Sequence, residues 1–132
     1  MTTKEGKNIV VKIKATNMNL TPAIENYVRV KLMLLEKSLI FFGKESGELI
    51  FEVEIGKTTH HHHKGEVFRA EINFNSDSTH FRSEAVKEDL YAAIDEAKDE
   101  MQGDLRKLKS KKFSLMREGG ARLKKLLWFG RE

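Results

Sequence analysis

The chain has no cysteine, a single proline and one tryptophan in 132 residues. Without thiols it can hold no disulfide scaffold, no thiolate zinc site and no cysteine nucleophile. No apolar run approaches the ~18 residues of a transmembrane helix. The opening segment, Met1-Thr2-Thr3-Lys4-Glu5-Gly6-Lys7-Asn8, lacks the apolar core of a secretory signal. These absences set the expectation of a soluble, cytoplasmic protein with no membrane partner. The glycines are scattered and form no phosphate-cradling loop, and no serine sits in a nucleophile elbow. Glu88 and Asp89 are adjacent carboxylates, but they read as part of the first turn of a helix, where negative charge suits the helix dipole. The chain therefore reads as a non-enzyme without a cofactor.

What is present is charge. Charged residues make up 33% of the chain and hydrophobic ones 39%, the balance of a folded domain with a heavily charged surface. The length suits one domain with one core. The formal net charge is +4, a modest bias toward an anionic partner such as nucleic acid.

The hydrophobic pattern switches period along the chain. Ile9, Val11, Ile13 and Ala15 alternate with Val10, Lys12 and Lys14 over 8–16, a strand with one buried face. Thr21-Pro22 supplies a capping hydroxyl and a proline at the first helical position. Ile24, Tyr27, Val28, Lys31, Leu32, Leu35 and Leu39 then share a broad face, widened by Met33 and Leu34, and the helix is expected to end near Phe42-Gly43. Leu49, Phe51, Val53 and Ile55 alternate inward, as do Phe68, Ala70, Ile72 and Phe74, and then Phe81, Ser83 and Ala85. Leu90, Ile94, Ala97, Met101, Leu105 and Leu108 follow at steps of three and four, a second amphipathic helix ending near Lys112. The expected fold is α+β, in the order β-α-β-β-β-α. Its last three strands form an antiparallel meander in a four-stranded sheet, and both helices pack on one face. Lys12, Lys14, Glu52, Glu54, Arg69, Glu71, Arg82 and Glu84 fall on the other face, explained by cross-strand charge pairs. Residues 1–112 form the domain. Residues 113–132 form a basic-apolar tail; its apolar face is too short for a membrane-surface helix to attach stably by itself, and it reads equally as an arm for RNA or a protein groove and as a cap on the core.

Three groups of side chains are candidates for binding. Lys87, Tyr91, Lys98 and Lys109 lie along one edge of the second helix. Arg106, Lys107, Lys109, Lys111 and Lys112 crowd its end, in excess of what a helix C-terminus needs. With Lys31 and Lys37 from the first helix they form one positive surface if the helices lie side by side, a surface suited to RNA phosphates. The third group is the loop of Lys57, His60-His61-His62-His63 and Lys64. Four adjacent histidines with no nearby carboxylate pair make a poor metal cage, since structural zinc takes ligands from separated positions on a fixed frame. The loop reads instead as a basic tip whose charge rises below the ordinary histidine pKa of about 6.5, with no metal.

Several phrases, in this order and spacing, resemble the ribosome hibernation promoting factor family, which includes the ribosome-associated inhibitor A and proteins labelled sigma-54 modulation proteins. They are Ile13-Lys14-Ala15-Thr16-Asn17-Met18-Asn19-Leu20-Thr21-Pro22-Ala23-Ile24, Lys31-Leu32 with Leu35-Glu36-Lys37, Gly56-Lys57-Thr58-Thr59-His60, Lys64-Gly65-Glu66-Val67-Phe68-Arg69-Ala70-Glu71 and Glu88-Asp89-Leu90-Tyr91-Ala92-Ala93-Ile94-Asp95. The resemblance runs from about Ile9 to Lys112 and implies a domain related to double-stranded RNA-binding domains. It further implies a translation inhibitor that lodges in the small ribosomal subunit over the messenger and the A- and P-site positions, protecting inactive ribosomes under stress. The implied partners are the small subunit and its rRNA, not DNA, with the chain a monomer off the ribosome. Lys31, Lys37, Lys107, Lys109 and Lys111 match basic helix positions of the family, and Lys57 and His60 match its loop. The family usually continues after Asp95 with a pattern like Asp-Lys-Leu-x-Arg-Gln-Leu. Here Glu100 and Gly103 replace the two cations and Asp104 adds a negative charge, so Lys98, Arg106 and the tail are expected to take over part of the phosphate binding. The alternative function, in another class, is a protein-interaction module that modulates sigma-54-dependent transcription.

Overall fold

The computed structural model describes residues 8–39, 47–58 and 66–129, without the side chains of 112, 113, 116 and 120–129. Its elements are β1 (Ile9–Thr16), α1 (Pro22–Met33), β2 (Leu49–Lys57), β3 (Phe68–Asn75), β4 (His80–Lys87) and α2 (Leu90–Phe129). The strands form one sheet in the order β1-β2-β3-β4. β1 runs parallel to β2, a pairing that needs the long crossover α1 provides, while β2, β3 and β4 are antiparallel. This is the expected β-α-β-β-β-α order, with the expected meander.

Alternation decides the faces. Leu49, Phe51, Val53 and Ile55 of β2 are buried, as are Ala70, Ile72 and Phe74 of β3 and Ser83 and Ala85 of β4. Phe51 and Phe74 stand opposite each other in register, their ring centroids 5.1 Å apart. Such a pair adds roughly 0.5–1.5 kcal/mol to its burial. Ser83 is small enough to let α2 approach and donates its hydroxyl to the Ala97 carbonyl, 2.8 Å away, so the buried oxygen is satisfied. Ala93, Ile94, Ala97, Met101 and Leu105 complete the core from α2, and Val28, Leu32, Leu35 and Leu39 from the α1 side.

The caps are those the residues predict. The Thr21 hydroxyl accepts from the Ile24 amide at 3.2 Å and Pro22 opens α1. Asp89 opens α2, its carboxylate accepting from the Ala92 amide at 3.0 Å. It therefore acts as a cap just ahead of the helix, whereas the sequence pattern places Glu88 and Asp89 inside the first turn.

Both helices end elsewhere than expected. α1 stops at Met33, and the bonds from Leu34 to Lys31, Leu35 to Leu32 and Ser38 to Leu35 tighten the chain into a 3₁₀ turn over 36–39. The tighter winding brings Leu35 and Leu39 into the core but leaves Met33 and Leu34 about half exposed, so they do not widen the apolar face. The predicted end at Phe42-Gly43 lies outside the described residues. α2, in contrast, does not stop at Lys112 but continues to Phe129 as a single helix of 40 residues. Leu108 is its last described residue packed against the core, and Leu115 is exposed. At about 1.5 Å per residue, the helix beyond Leu108 projects roughly 30 Å.

Candidate nucleic-acid interface

The outer face of the sheet is closed by its own charges. Glu71 and Glu84 stand directly opposite each other, a repulsive placement on adjacent strands. Arg69 reaches Glu71 at 2.6 Å and Glu84 at 2.7 Å, and Arg82 reaches Glu71 at 2.7 Å and Glu84 at 3.1 Å. The result is a closed ring of two cations and two anions. Burial alone would raise the Glu71 pKa, but hydrogen bonds from Asn73, Arg69 and Arg82 outweigh it and hold the carboxyl below its ordinary value. Arg69 depresses Glu84 in the same way. Arg69 and Arg82 are thus spent within the sheet. Lys12 and Lys14 differ: they stand in register with Glu52 and Glu54, yet neither forms an ion pair among the described residues.

A second cluster ties the helices together. The Tyr27 hydroxyl donates to Asp95 Oδ1 at 2.7 Å, and Lys31 Nζ lies 3.2 Å from the same oxygen. Lys31 also sits 5.3 Å from the centroid of the Tyr27 ring, and Tyr91 meets that ring edge-on at 4.6 Å. The hydrogen bond to Asp95 raises the Tyr27 pKa, because deprotonation would set two anions side by side. The same carboxylate raises the Lys31 pKa against the cost of desolvation. Lys31 is therefore a latch between α1 and α2 whose charge is already balanced.

The remaining candidates divide sharply. Lys57 pairs with Glu66 at 2.9 Å and Lys87 with Glu96 at 3.4 Å. Lys98, expected on an exposed cationic edge, is only 9% exposed, and its ammonium is held by Asp99 at 3.2 Å and Gln102 at 2.9 Å. The helix edge of Lys87, Tyr91, Lys98 and Lys109 is thus largely committed to the protein, with Lys109 partly buried and engaged. Lys37, Arg106, Lys107 and Lys111 are exposed, with no ion pair among the described residues. His60 and Lys64 lie outside the described residues, together with the histidine run, and so does the side chain of Lys112.

The expected single positive surface is also divided by geometry. Lys107 and Lys111, one turn apart, share a hollow with Phe81, Asp104 and Leu108 on the β4 side of α2. Lys31, Tyr91 and Asp95 lie on the α1 side. Lys109 is about 160° around the helix from Lys107. Glu100, Gly103 and Lys107 fall on one strip of α2, at spacings of three and four. Nothing lies within 4 Å of where a Cβ on Gly103 would sit. Sequence reasoning missed Phe81, Asp104 and Asp95 as site residues. The i, i+3, i+4, i+7 spacing of Asp104, Lys107, Leu108 and Lys111 was the available signal for the hollow; pairing to Asp95 across helices leaves no local signal.

A four-stranded mixed sheet with two helices on one face, and exposed cations on the longer one that form no ion pair among the described residues, defines the class of this protein: a small α+β domain with a cationic helix. The chain belongs to the family described as Sigma 54 modulation protein / S30EA ribosomal protein, whose model matches residues 11–112. It is similar to the N-terminal domain of Protein Y from Thermus thermophilus, at 31% identity and a TM-score of 0.60, covering 76% of this chain and 98% of that one. It also shares its fold with a ribosomal subunit interface protein from Coxiella burnetii, at 12% identity and a TM-score of 0.57, covering 76% of this chain and 97% of that one. The matched family region ends at residue 112, well before the end of α2. Among the described residues no helix is long and apolar enough to cross a membrane.

Proposed function

We propose that this protein binds the small ribosomal subunit through its rRNA, occupies the decoding channel around the A and P sites, and so inhibits translation while protecting inactive ribosomes. The inhibition is steric and requires no catalysis or cofactor. The observation that carries this reading is the set Arg106, Lys107 and Lys111: exposed cations with no ion pair among the described residues, on the long helix of an S30EA-family domain. Lys37 adds a further free cation beyond α1. Residues 1–112 act as the binding domain, and the protein is a cytoplasmic monomer off the ribosome, with neither membrane nor DNA as partner.

The test is co-sedimentation with purified small subunits at 50 mM and 500 mM salt. Binding at low salt and release at high salt are expected, because phosphate contacts exchange with counterions. The variant Arg106→Glu/Lys107→Glu/Lys111→Glu should fold normally and lose association. Absence of association at every salt concentration would refute the proposal. The family description also names sigma-54 modulation. Recovery of sigma factor or polymerase in place of ribosomal components in a pull-down would favour that second reading.

A further inference from the structure

The hollow between β4 and α2 contains more than lysines. Its volume is about 270 Å³, and it is lined by Phe81, Asp104, Lys107, Leu108 and Lys111. Phe81 faces the helix layer from the start of β4 and is only partly buried, so ring surface remains accessible beside Leu108. Asp104, Lys107 and Lys111 make no ion pair or hydrogen bond among the described residues, with each other or with anything else. One small site thus presents an aromatic ring, two free cations and a free carboxylate.

These groups demand different things of a ligand. Phe81 and Leu108 favour a flat apolar face. Lys107 and Lys111 favour an anion. Asp104 repels an anion and needs an N–H donor. An acidic peptide satisfies the lysines but sets its carboxylates against Asp104. A duplex is too wide for the hollow and offers no exposed base face. A single unstacked nucleotide meets all three demands: its base lies on the ring, its phosphates face the lysines, and an exocyclic amine donates to the carboxylate.

We propose that this hollow is a seat for one unpaired, amino-bearing nucleobase of a single-stranded RNA, with Phe81 as the stacking platform, Lys107 and Lys111 as phosphate contacts and Asp104 as the acceptor for the exocyclic amine, which disfavours uracil. This rests on the RNA-binding reading above and adds a base preference to it. The seat would make α2 a reader of base identity as well as of charge. Cytosine, adenine and guanine carry an exocyclic amine, whereas uracil offers only an N3–H flanked by two carbonyl oxygens that the carboxylate repels.

The test uses the full-length protein and labelled hexanucleotides of oligo(C), oligo(A) and oligo(U), followed by fluorescence anisotropy at 50 mM salt. Oligo(C) and oligo(A) should bind about fivefold or more tightly than oligo(U). Asp104→Asn should reduce that preference to within about twofold, since an amide can also donate to uracil. Phe81→Leu should weaken all three about tenfold, from lost stacking. Lys107→Gln, at an exposed position, should weaken all three equally, keep the preference and lower the salt slope by about one. Equal binding of oligo(U) and oligo(C), an unchanged preference in Asp104→Asn, or displacement of oligo(C) by oligoglutamate of equal charge would overturn the proposal. A protein that sediments with small subunits but shows no base preference keeps its proposed function and loses the seat; one that does neither loses both.

Discussion

Restoring the two missing cations on α2 should strengthen RNA binding by a calculable amount. Glu100 is exposed, and a Cβ on Gly103 would meet nothing within 4 Å. The double variant Glu100→Lys/Gly103→Arg therefore fits without a clash and continues the strip that ends in Lys107 and Lys111. If both new cations reach phosphates, the slope of log K against log salt should steepen by about 1.5. Between 50 and 200 mM salt, binding to small subunits should then fall roughly tenfold more than for the wild type. The same variant includes a control for folding. Replacing glycine in a helix interior contributes about 1 kcal/mol, and for a chain of this size that raises the melting temperature by about 3–4 °C. Quantitative sedimentation across a salt series gives the first number and thermal denaturation followed by circular dichroism gives the second. A higher melting temperature with an unchanged slope would refute the placement of this strip against RNA. A lower melting temperature would refute the open space beside Gly103.

Three further outcomes follow from individual contacts. Asp95→Asn removes the anion that raises the Tyr27 pKa, so one of the two tyrosines should titrate at lower pH in a phenolate absorbance titration; identical curves would dismiss the latch. Gly56→Ala places a Cβ 2.4 Å from the Thr16 carbonyl oxygen, backbone that cannot yield without parting β1 from β2, and should lower the urea midpoint by the equivalent of about 1–3 kcal/mol. Glu71 and Glu84 have pKa values depressed by folding, so their contribution is present above the ordinary carboxylate range near 4.3 and is lost as pH falls through their lower folded values. Acid unfolding curves of Glu71→Gln/Glu84→Gln should accordingly be flatter below about pH 4 than those of the wild type.

The sheet was legible in the sequence because a period of two assigns each side chain to a face. Every inward residue foreseen in β2 is buried, and Phe68 and Phe81 at the starts of their strands are partly so. The ends of the helices were less legible. Leu35 and Leu39 continue a helical stripe from Leu32, yet they reach the core through a tighter winding that the stripe alone does not reveal. The second helix was expected to end at the basic run near Lys112, but α2 continues through residues 113–129, glycines 119 and 120 included, since a glycine costs a helix only about 1 kcal/mol relative to alanine. The candidate site was the hardest to foresee. A lysine reads the same in sequence whether it meets Asp95 from another helix, as Lys31 does, sits within its own helix, as Lys98 does, or stands free, as Lys107 does. Partners brought together by the fold determine which positive charges remain available, and the sequence order of the residues does not carry that information.

The unbroken α2 has a further consequence, one of phase. The segment beyond Leu108 shares a helix axis with the seated segment, so its angular position is tied to the number of residues between them. Inserting one alanine after Ser114 would rotate everything distal by about 100° while moving it only about 1.5 Å. Inserting four would advance it by about 6 Å and leave it within roughly 40° of its starting direction. Whatever the distal segment meets on a partner is therefore approached at an angle set by the docking of α2 on the sheet, as the bit of a key is oriented by its shaft.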